Sequence, residues 1–288
     1  MTETSLQGVR SLLFAPGDDA RKLRSALASA ADGVIADLED AVAPDRKDAA
    51  RGIVRTEFAA AGTHMRRMVR INGLDTDWGR EDLALTRTLD LDAIVVPKAT
   101  ADSISAVGAD GVPVIALVET AVGLRQAYEI GLHPRVSALM LGGADLGAEL
   151  RWKPRSDGLE LLFARSSLVV DSAAAGILPP FDVVHLAPRA IDELIDESTF
   201  ARSIGFGGKA CIHPCQAEPV NTAFSPSQSE IDWARAVVAA FDDASARGSG
   251  TAVVDGRLVD APVVRHARSM LSHPGSTNQL PRRSPAAH

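Results

Sequence analysis

Short apolar runs recur along the chain, each bounded by polar or glycine-containing turns, with stretches of helical character between them. Eight of these runs read as candidate buried strands: VRSLLFAP, GVIADLE, RMVRIN, AIVVPK, PVIALVE, SALMLGGAD, DVVHLAP and FGGKACIHP. Runs that are apolar on both faces suit parallel strands covered by helices. Eight βα units in one domain-sized length predict a closed TIM (β/α)8 barrel over residues 1–221. An open doubly wound sheet fits less well, because no glycine-rich dinucleotide turn follows a strand. GFGGK lacks the spacing of a phosphate loop and reads as a tight turn into the eighth strand.

Beyond the barrel, residues 222–272 form a predicted extension. SPSQSEIDWARAVVAAFDDASARG has an amphipathic helical pattern, with serines at 225–229 available as caps. TAVVDGRLVDAPVVRHARSML then predicts a short hairpin turning at Asp-Gly, followed by a helix. The remaining segment, 273–288, is polar, proline-containing and aperiodic, and is expected to be disordered.

Composition narrows the classes of function. The 288 residues are 46% hydrophobic, which supports one large α/β domain with an extension. A net charge of −7 and 4% aromatic residues argue against a general nucleic-acid surface. No apolar run approaches the roughly 20 residues of a membrane span, and the start lacks the order of a secretory signal, so cytoplasmic placement is the expectation. The two cysteines, Cys211 and Cys215, flank His213 in CIHPC, but no second Cys/His cluster completes a zinc site. A reduced thiol pair in a strand-end turn is expected instead.

Candidate chemistry gathers at the ends of the strands. Glu119 and Asp145 each end an apolar run, in PVIALVET and VSALMLGGAD, and acids on neighbouring strand ends can share one hard cation. Capping of the following helices is the open alternative. In GVIADLEDAV, alternation sends Asp37 and Glu39 to one side while Leu38 packs outward; Asp40 follows. Both acids can face the barrel mouth, or else cap a helix or pair with Arg46 or Lys47. Arg70 ends the third strand and has the planar fork to hold a carboxylate or a developing enolate. Lys98 closes the fourth strand in VVPK, where an ion pair with the acids is expected rather than a Schiff base.

RSLLFAPG, IADLEDAVAPDRKDAAR, VRINGLD, VVPK, ALVETAVGL, GGADLGAEL, GFGGKACIHPCQ and DGRLVDAPVV, in this order over residues 9–271, resemble the citrate lyase β-subunit-like branch of the HpcH/HpaI aldolase superfamily. That branch also holds malyl-CoA and citramalyl-CoA lyases. The resemblance implies a homotrimer or trimer-based assembly and Mg²⁺-dependent carbon–carbon cleavage of a 3-hydroxyacyl-CoA thioester into an acyl-CoA and a 2-oxo acid, with Mn²⁺ as the alternative ion. By motif it makes Glu119 and Asp145 the metal ligands, and Arg70, Glu119, Gly143 and Ala144 the substrate contacts. Asp37 and Glu39 become acids around metal-associated water. Asp260, in GRLVDAP, becomes the acid/base that one chain presents to a neighbour's site, against its plain reading as a helix cap. Arg21, Lys22 and Arg24 are the candidates for the CoA phosphates.

Two departures from the pattern stand out. Ser25 replaces a lysine common among relatives, and Ala187 and Ala190 in HLAPRAID replace aspartates. The expected rivals are a metal-dependent aldolase on free hydroxy-oxo acids and a metabolite-binding subunit without turnover. A carrier-protein thioester in place of CoA is a variant of the lyase reading.

Overall fold

The computed structural model describes residues 5–62, 65–155 and 157–272. It divides into two compact units, one ending at Phe224 and the other starting at Ser225.

In the first unit, eight parallel strands close a barrel in sequence order: β1 (Ser11–Pro16), β2 (Gly33–Asp37), β3 (Arg66–Arg70), β4 (Ala93–Val96), β5 (Val114–Val118), β6 (Val136–Leu141), β7 (Phe181–Asp182) and β8 (Gly208–Cys211). Around them lie α1 (Ala20–Leu27), α2 (Lys47–Ala60), α3 (Asp77–Thr86), α4 (Ala101–Ser105), α5 (Ala121–Arg125), α6 (Ala127–Gly131), α7 (Gly143–Leu150), α8 (Leu162–Ala175), α9 (Ile191–Ser203) and α10 (Ala217–Phe224). This is the TIM barrel that the strand count predicts.

The strand residues divide between two layers with a period of two. Leu12, Ile35, Met68, Ala93, Val95, Ile115, Leu117, Ala138, Met140, Phe181 and Ala210 fill the barrel interior, and Leu6 and Val9 ahead of β1 join them. Their alternates, among them Leu13, Val34, Ala36, Val69, Ile94, Val118 and Leu141, pack outward against the helices. Leu38 belongs to this outer layer, as the alternation predicts. The first unit extends past residue 221 because α10 continues to Phe224, which is buried against the outer core with Val220.

One element differs from the sequence expectation. DVVHLAP yields only a two-residue β7, which starts one residue earlier than that run, at Phe181. Between β5 and β6 the chain forms two short helices, α5 and α6, meeting at Gln126.

In the second unit, α11 (Gln228–Ala246) starts from Ser227, whose hydroxyl accepts from the Glu230 N–H while Glu230 returns a bond to the Ser227 backbone. β9 (Ala252–Val254) and β10 (Arg257–Val259) pair antiparallel across Asp255 and Gly256. Both turn residues have positive φ, +49° and +73°, as a type I′ hairpin requires. α12 (Ala261–Leu271) follows, and its Val264 and Ala267 pack with Ala234, Val237 and Val259 into a small core. The segment 273–288, expected to be disordered, lies outside the described residues.

Candidate active site

The carboxyl ends of β2 to β5 bring five charged side chains together, Asp37, Glu39, Arg70, Lys98 and Glu119, and alternation explains much of it. Ile35 and Met68 point into the barrel, so Asp37 and Arg70, two residues further on, also point inward. Asp37 and Arg70 are direct partners in the β2–β3 register. Arg70 Nε and Nη2 donate to the two Asp37 oxygens at 2.7 and 2.6 Å, a bidentate pair. Each Asp37 oxygen also accepts a backbone N–H, from Glu39 at 2.9 Å and Ala41 at 3.1 Å. The Arg70 guanidinium lies over Phe14 at 5.2 Å from the ring centre. Burial opposes the charge of Arg70, but the hydrogen bonds and charge of Asp37, then the charges of Glu39 and Glu119, hold its pKa above the ordinary arginine value.

Glu39 completes this group. Its Oε1 accepts from Lys98 Nζ at 2.7 Å, and its Oε2 sits 3.0 Å from Arg70 Nη1. That second contact is an ion pair without hydrogen-bond alignment, so the buried Oε2 keeps a vacant lone pair. Burial, only partly countered by Arg70 and Lys98, raises the Glu39 pKa. Lys98 therefore forms the ion pair expected from the sequence. Arg46 and Lys47, by contrast, bind elsewhere: Arg46 to Asp18, and Lys47 to main-chain and amide oxygens.

Glu119 follows β5 directly, two residues after the inward-facing Leu117, and is buried. Its Oε1 accepts the Lys98 backbone N–H at 2.8 Å. Lys98 delivers that N–H from a left-handed conformation, φ +45°, which is strained for a residue with a side chain. Gly142 gives Glu119 its room: a Cβ there would lie 2.4 Å from Glu119 Cβ and 2.8 Å from its Oε2. Burial pushes the Glu119 carboxyl up to about 7, with Glu39 and Asp145 adding to the effect and the Lys98 N–H and Arg70 opposing it.

Asp145 is not on a strand end. β6 closes at Leu141, and Asp145 lies in the first turn of α7, exposed, with its charge still felt by Glu119. The reason is local: Gly142 and Gly143 end the apolar run early and start a helix, whose N-terminus favours an acid. Gly143 and Ala144 open the same turn.

The donor set suits a hard divalent cation. Glu119 and Asp145 offer carboxylate oxygens only, the burial penalty of Glu119 is the kind that a cation relieves, and Glu39 Oε2 is an orphaned acceptor nearby. Among the described residues no set of three or more His, Cys, Asp or Glu side chains is arranged to hold a metal alone. Mg²⁺ commonly binds to one or two carboxylates and takes the rest of its oxygens from substrate and water.

The other sequence candidates are dispersed. Arg21 and Lys22 are exposed on the first turn of α1, capped by Asp19; Lys22 lies 3.8 Å from Asp19, and Arg24 pairs with Glu57 at 3.3 Å. Asp260 belongs to the second unit and caps α12, its carboxylate accepting the Val263 N–H at 3.3 Å. Cys211 is buried in β8 and Cys215 exposed, both free, with Cys215 Sγ 3.0 Å from His213 Nδ1. Phe14, Gly142 and Asn72 support the site but escaped the motif reading, and Lys47 enters it only as an ion-pair partner for the acids. Asn72 lies two residues from Arg70 and Gly142 three from Asp145, but Phe14 has no such neighbour in the sequence.

A closed barrel of eight parallel strands with acids and an arginine at its carboxyl end defines the class, a (β/α)8-barrel protein with a charged mouth, and sequence comparison identifies the family. The family model described as HpcH/HpaI aldolase/citrate lyase matches residues 10–214, and the chain belongs to that family. It is 41% identical over 267 residues to a (3S)-malyl-CoA thioesterase of Cereibacter sphaeroides, covering 91% of this chain and 93% of the relative. It is 33% identical to the citrate lyase subunit beta of Escherichia coli, covering 91% and 92%. Among solved structures, CitE of Mycobacterium tuberculosis in complex with magnesium, acetoacetate and coenzyme A superposes with a TM-score of 0.80 at 35% identity, covering 93% of this chain and 98% of that one.

Proposed function

We propose that the protein is a Mg²⁺-dependent carbon–carbon lyase for a 3-hydroxyacyl-CoA thioester such as malyl-, citramalyl- or citryl-CoA. The observation that carries this reading is the geometry at one barrel mouth: Arg70 held bidentate by Asp37 and 3.0 Å from Glu39, with the buried Glu119 carboxylate at the end of β5. The magnesium and coenzyme A bound by the mycobacterial relative support it.

Glu119 and Asp145 would hold Mg²⁺, which when bound supplies Lewis-acid polarisation of oxygens in the acid portion of the substrate. Gly143 and Ala144 present backbone N–H groups at the start of α7 to that portion's carboxylate. Asp37 has its oxygens committed to Arg70 and two N–H groups, so Glu39, with its vacant lone pair, is the base for the substrate hydroxyl. As that proton leaves, the oxygen forms the carbonyl of the 2-oxo acid and the carbon–carbon pair passes to the thioester as an enolate. Arg70 stabilises the enolate oxygen, and Asp260 of a neighbouring copy in a trimer returns a proton to its carbon. Arg21 and Lys22 would be the cations for the CoA phosphates, with Arg24 partly occupied by Glu57.

The 41% identity to a malyl-CoA thioesterase favours a second reading, hydrolysis of the same class of thioester. One assay separates the two. Each of the three thioesters and, in parallel, a free hydroxy-oxo acid is incubated with the protein and Mg²⁺, and products are identified by mass. An acyl-CoA with a 2-oxo acid is the expected outcome. Free CoA with the intact hydroxy acid overturns cleavage in favour of hydrolysis, and cleavage only of free hydroxy-oxo acids overturns the need for CoA. Tight binding without any product would mark a metabolite-binding subunit.

A further inference from the structure

Lys47 opens α2 with a buried ammonium whose bonds go to none of the nearby carboxylates. Its three N–H groups are all used: on the Leu38 carbonyl at 2.7 Å, the Glu39 carbonyl at 2.7 Å and Asn72 Oδ1 at 2.8 Å. The Trp78 ring covers it, 5.6 Å from ring centre to Nζ. Successive carbonyls along a strand point in opposite directions, so one cation that binds two of them imposes a turn. That turn is where Glu39 leaves β2 and swings towards Arg70 and Lys98.

The same contacts tie β2 to β3. Asn72 Nδ2 donates to the Leu38 carbonyl at 2.8 Å and to Asp82 at 2.6 Å, and Asp82 accepts from Arg51 Nε at 2.8 Å. Lys47 and Arg51 lie one helical turn apart on α2, so a single helix face grips the exits of both strands.

We propose that Lys47 is a positioning residue for Glu39: by holding the Leu38 and Glu39 carbonyls it sets the direction in which the Glu39 carboxylate enters the site, and through Asn72 it keeps that carboxylate in step with Arg70. The catalytic consequence rests on the lyase reading above; the clamp itself does not. A displacement on the order of 1 Å at a reacting group costs up to about a hundredfold in rate, so the effect falls on kcat.

The test uses the full chain with Mg²⁺ and the thioester it turns over. Lys47→Met is expected to lower kcat about 10- to 100-fold with KM within about threefold, and Lys47→Arg, whose fork reaches two carbonyls, to restore part of it. Hydrogen exchange read by mass spectrometry gives a measure independent of activity. Val42 N–H bonds to the Glu39 carbonyl, so amides of the segment 39–42 should exchange faster in Lys47→Met while those of β5 do not. A kcat within about twofold of the parent, or unchanged exchange in that segment, overturns the proposal. Faster exchange across the whole barrel with matching loss of melting temperature also overturns it, as a general loss of stability. Should the parent cleave none of the thioesters, the functional reading fails and the exchange result alone decides the clamp. Should Lys47→Met not fold, Asn72→Ser is read in the same way.

Discussion

Two charged clusters lie in the same barrel and solve opposite problems. At the mouth, Asp37, Glu39, Glu119 and Asp145 outnumber Arg70 and Lys98, and burial holds the Glu39 and Glu119 pKa values up. Between the barrel and its helices, Arg165 of α8 and Lys209 of β8 converge on Asp182 of β7 at 2.8 Å each, with Glu197 of α9 against Arg165 at 2.7 Å. Phe181 and Ala210 point into the barrel, so Asp182 and Lys209 face the helices. Here two cations meet two carboxylates. Burial alone would raise the Asp182 pKa, but Lys209 and Arg165 outweigh it and the net shift is downward. The balanced cluster closes on itself and stabilises the short β7; the acid-rich one is left wanting a cation. Excess charge, rather than burial, separates a reactive cluster from a structural one.

The sharpest way to break this comparison is to remove one acid from each cluster. Glu119→Ala should reduce Mg²⁺-dependent turnover by about 10²–10³-fold or more while leaving the melting temperature unchanged or raised, measured by product-resolved kinetics and calorimetry. Full activity in that variant would remove Glu119 from the site. Asp182→Asn should do the reverse: about 3–5 kcal/mol of stability lost in denaturant titration, because two cations are left buried, with turnover per folded molecule retained.

Arg70→Lys tests whether the fork matters or only the charge. A compact ammonium cannot hold both Asp37 oxygens, so kcat/KM should fall roughly 10- to 100-fold with a small change in stability.

The pH dependence of stability should carry opposite signs in the two clusters. With its folded value near 7 against an ordinary 4.5, Glu119 makes the native metal-free state bind more protons than the unfolded chain, so stability falls as pH rises from about 4.5 to 7. The loss is roughly 2–3 kcal/mol, and Glu119→Gln should abolish it in melts run with a chelator. Asp182, held below its ordinary value, contributes stability that is present above pH 3.8 and is lost as pH falls through its folded value. Melts of Asp182→Asn should lack that acid limb.

The smallest effect concerns the thiols. Burial pushes Cys211 up to about 12, so a disulfide reagent should titrate Cys215 alone in the folded protein and both after denaturation. Two equivalents in the native state would contradict the buried placement.

Much of the fold was legible from the chain because a barrel repeats one local rule. Alternation along GVIADLE and RMVRIN already separates inward Asp37, Glu39 and Arg70 from outward Leu38 and Val69. Asp145 was misplaced by a few residues, since an apolar run ending in two glycines does not reveal where strand becomes helix. DVVHLAP was read too long for a similar reason: β7 is held less by its ladder than by Asp182 and its cations. None of Arg165, Asp182, Glu197 and Lys209 stood out in the sequence, because they come from four elements between residues 165 and 209 and share no motif.

The sequence by itself determined the strand count, the inward face of each strand and the residues that reach the barrel mouth, because all of these follow from periodicity and chain order. Tertiary structure alone decided which cation meets which acid. Arg70 took Asp37, Lys98 took Glu39, and Lys47 turned from both carboxylates to two carbonyls. It also set the burial that raises Glu119 and the glycine gap that admits it. Pairing and desolvation depend on distances between residues far apart in the chain, and those distances exist only once the barrel has closed.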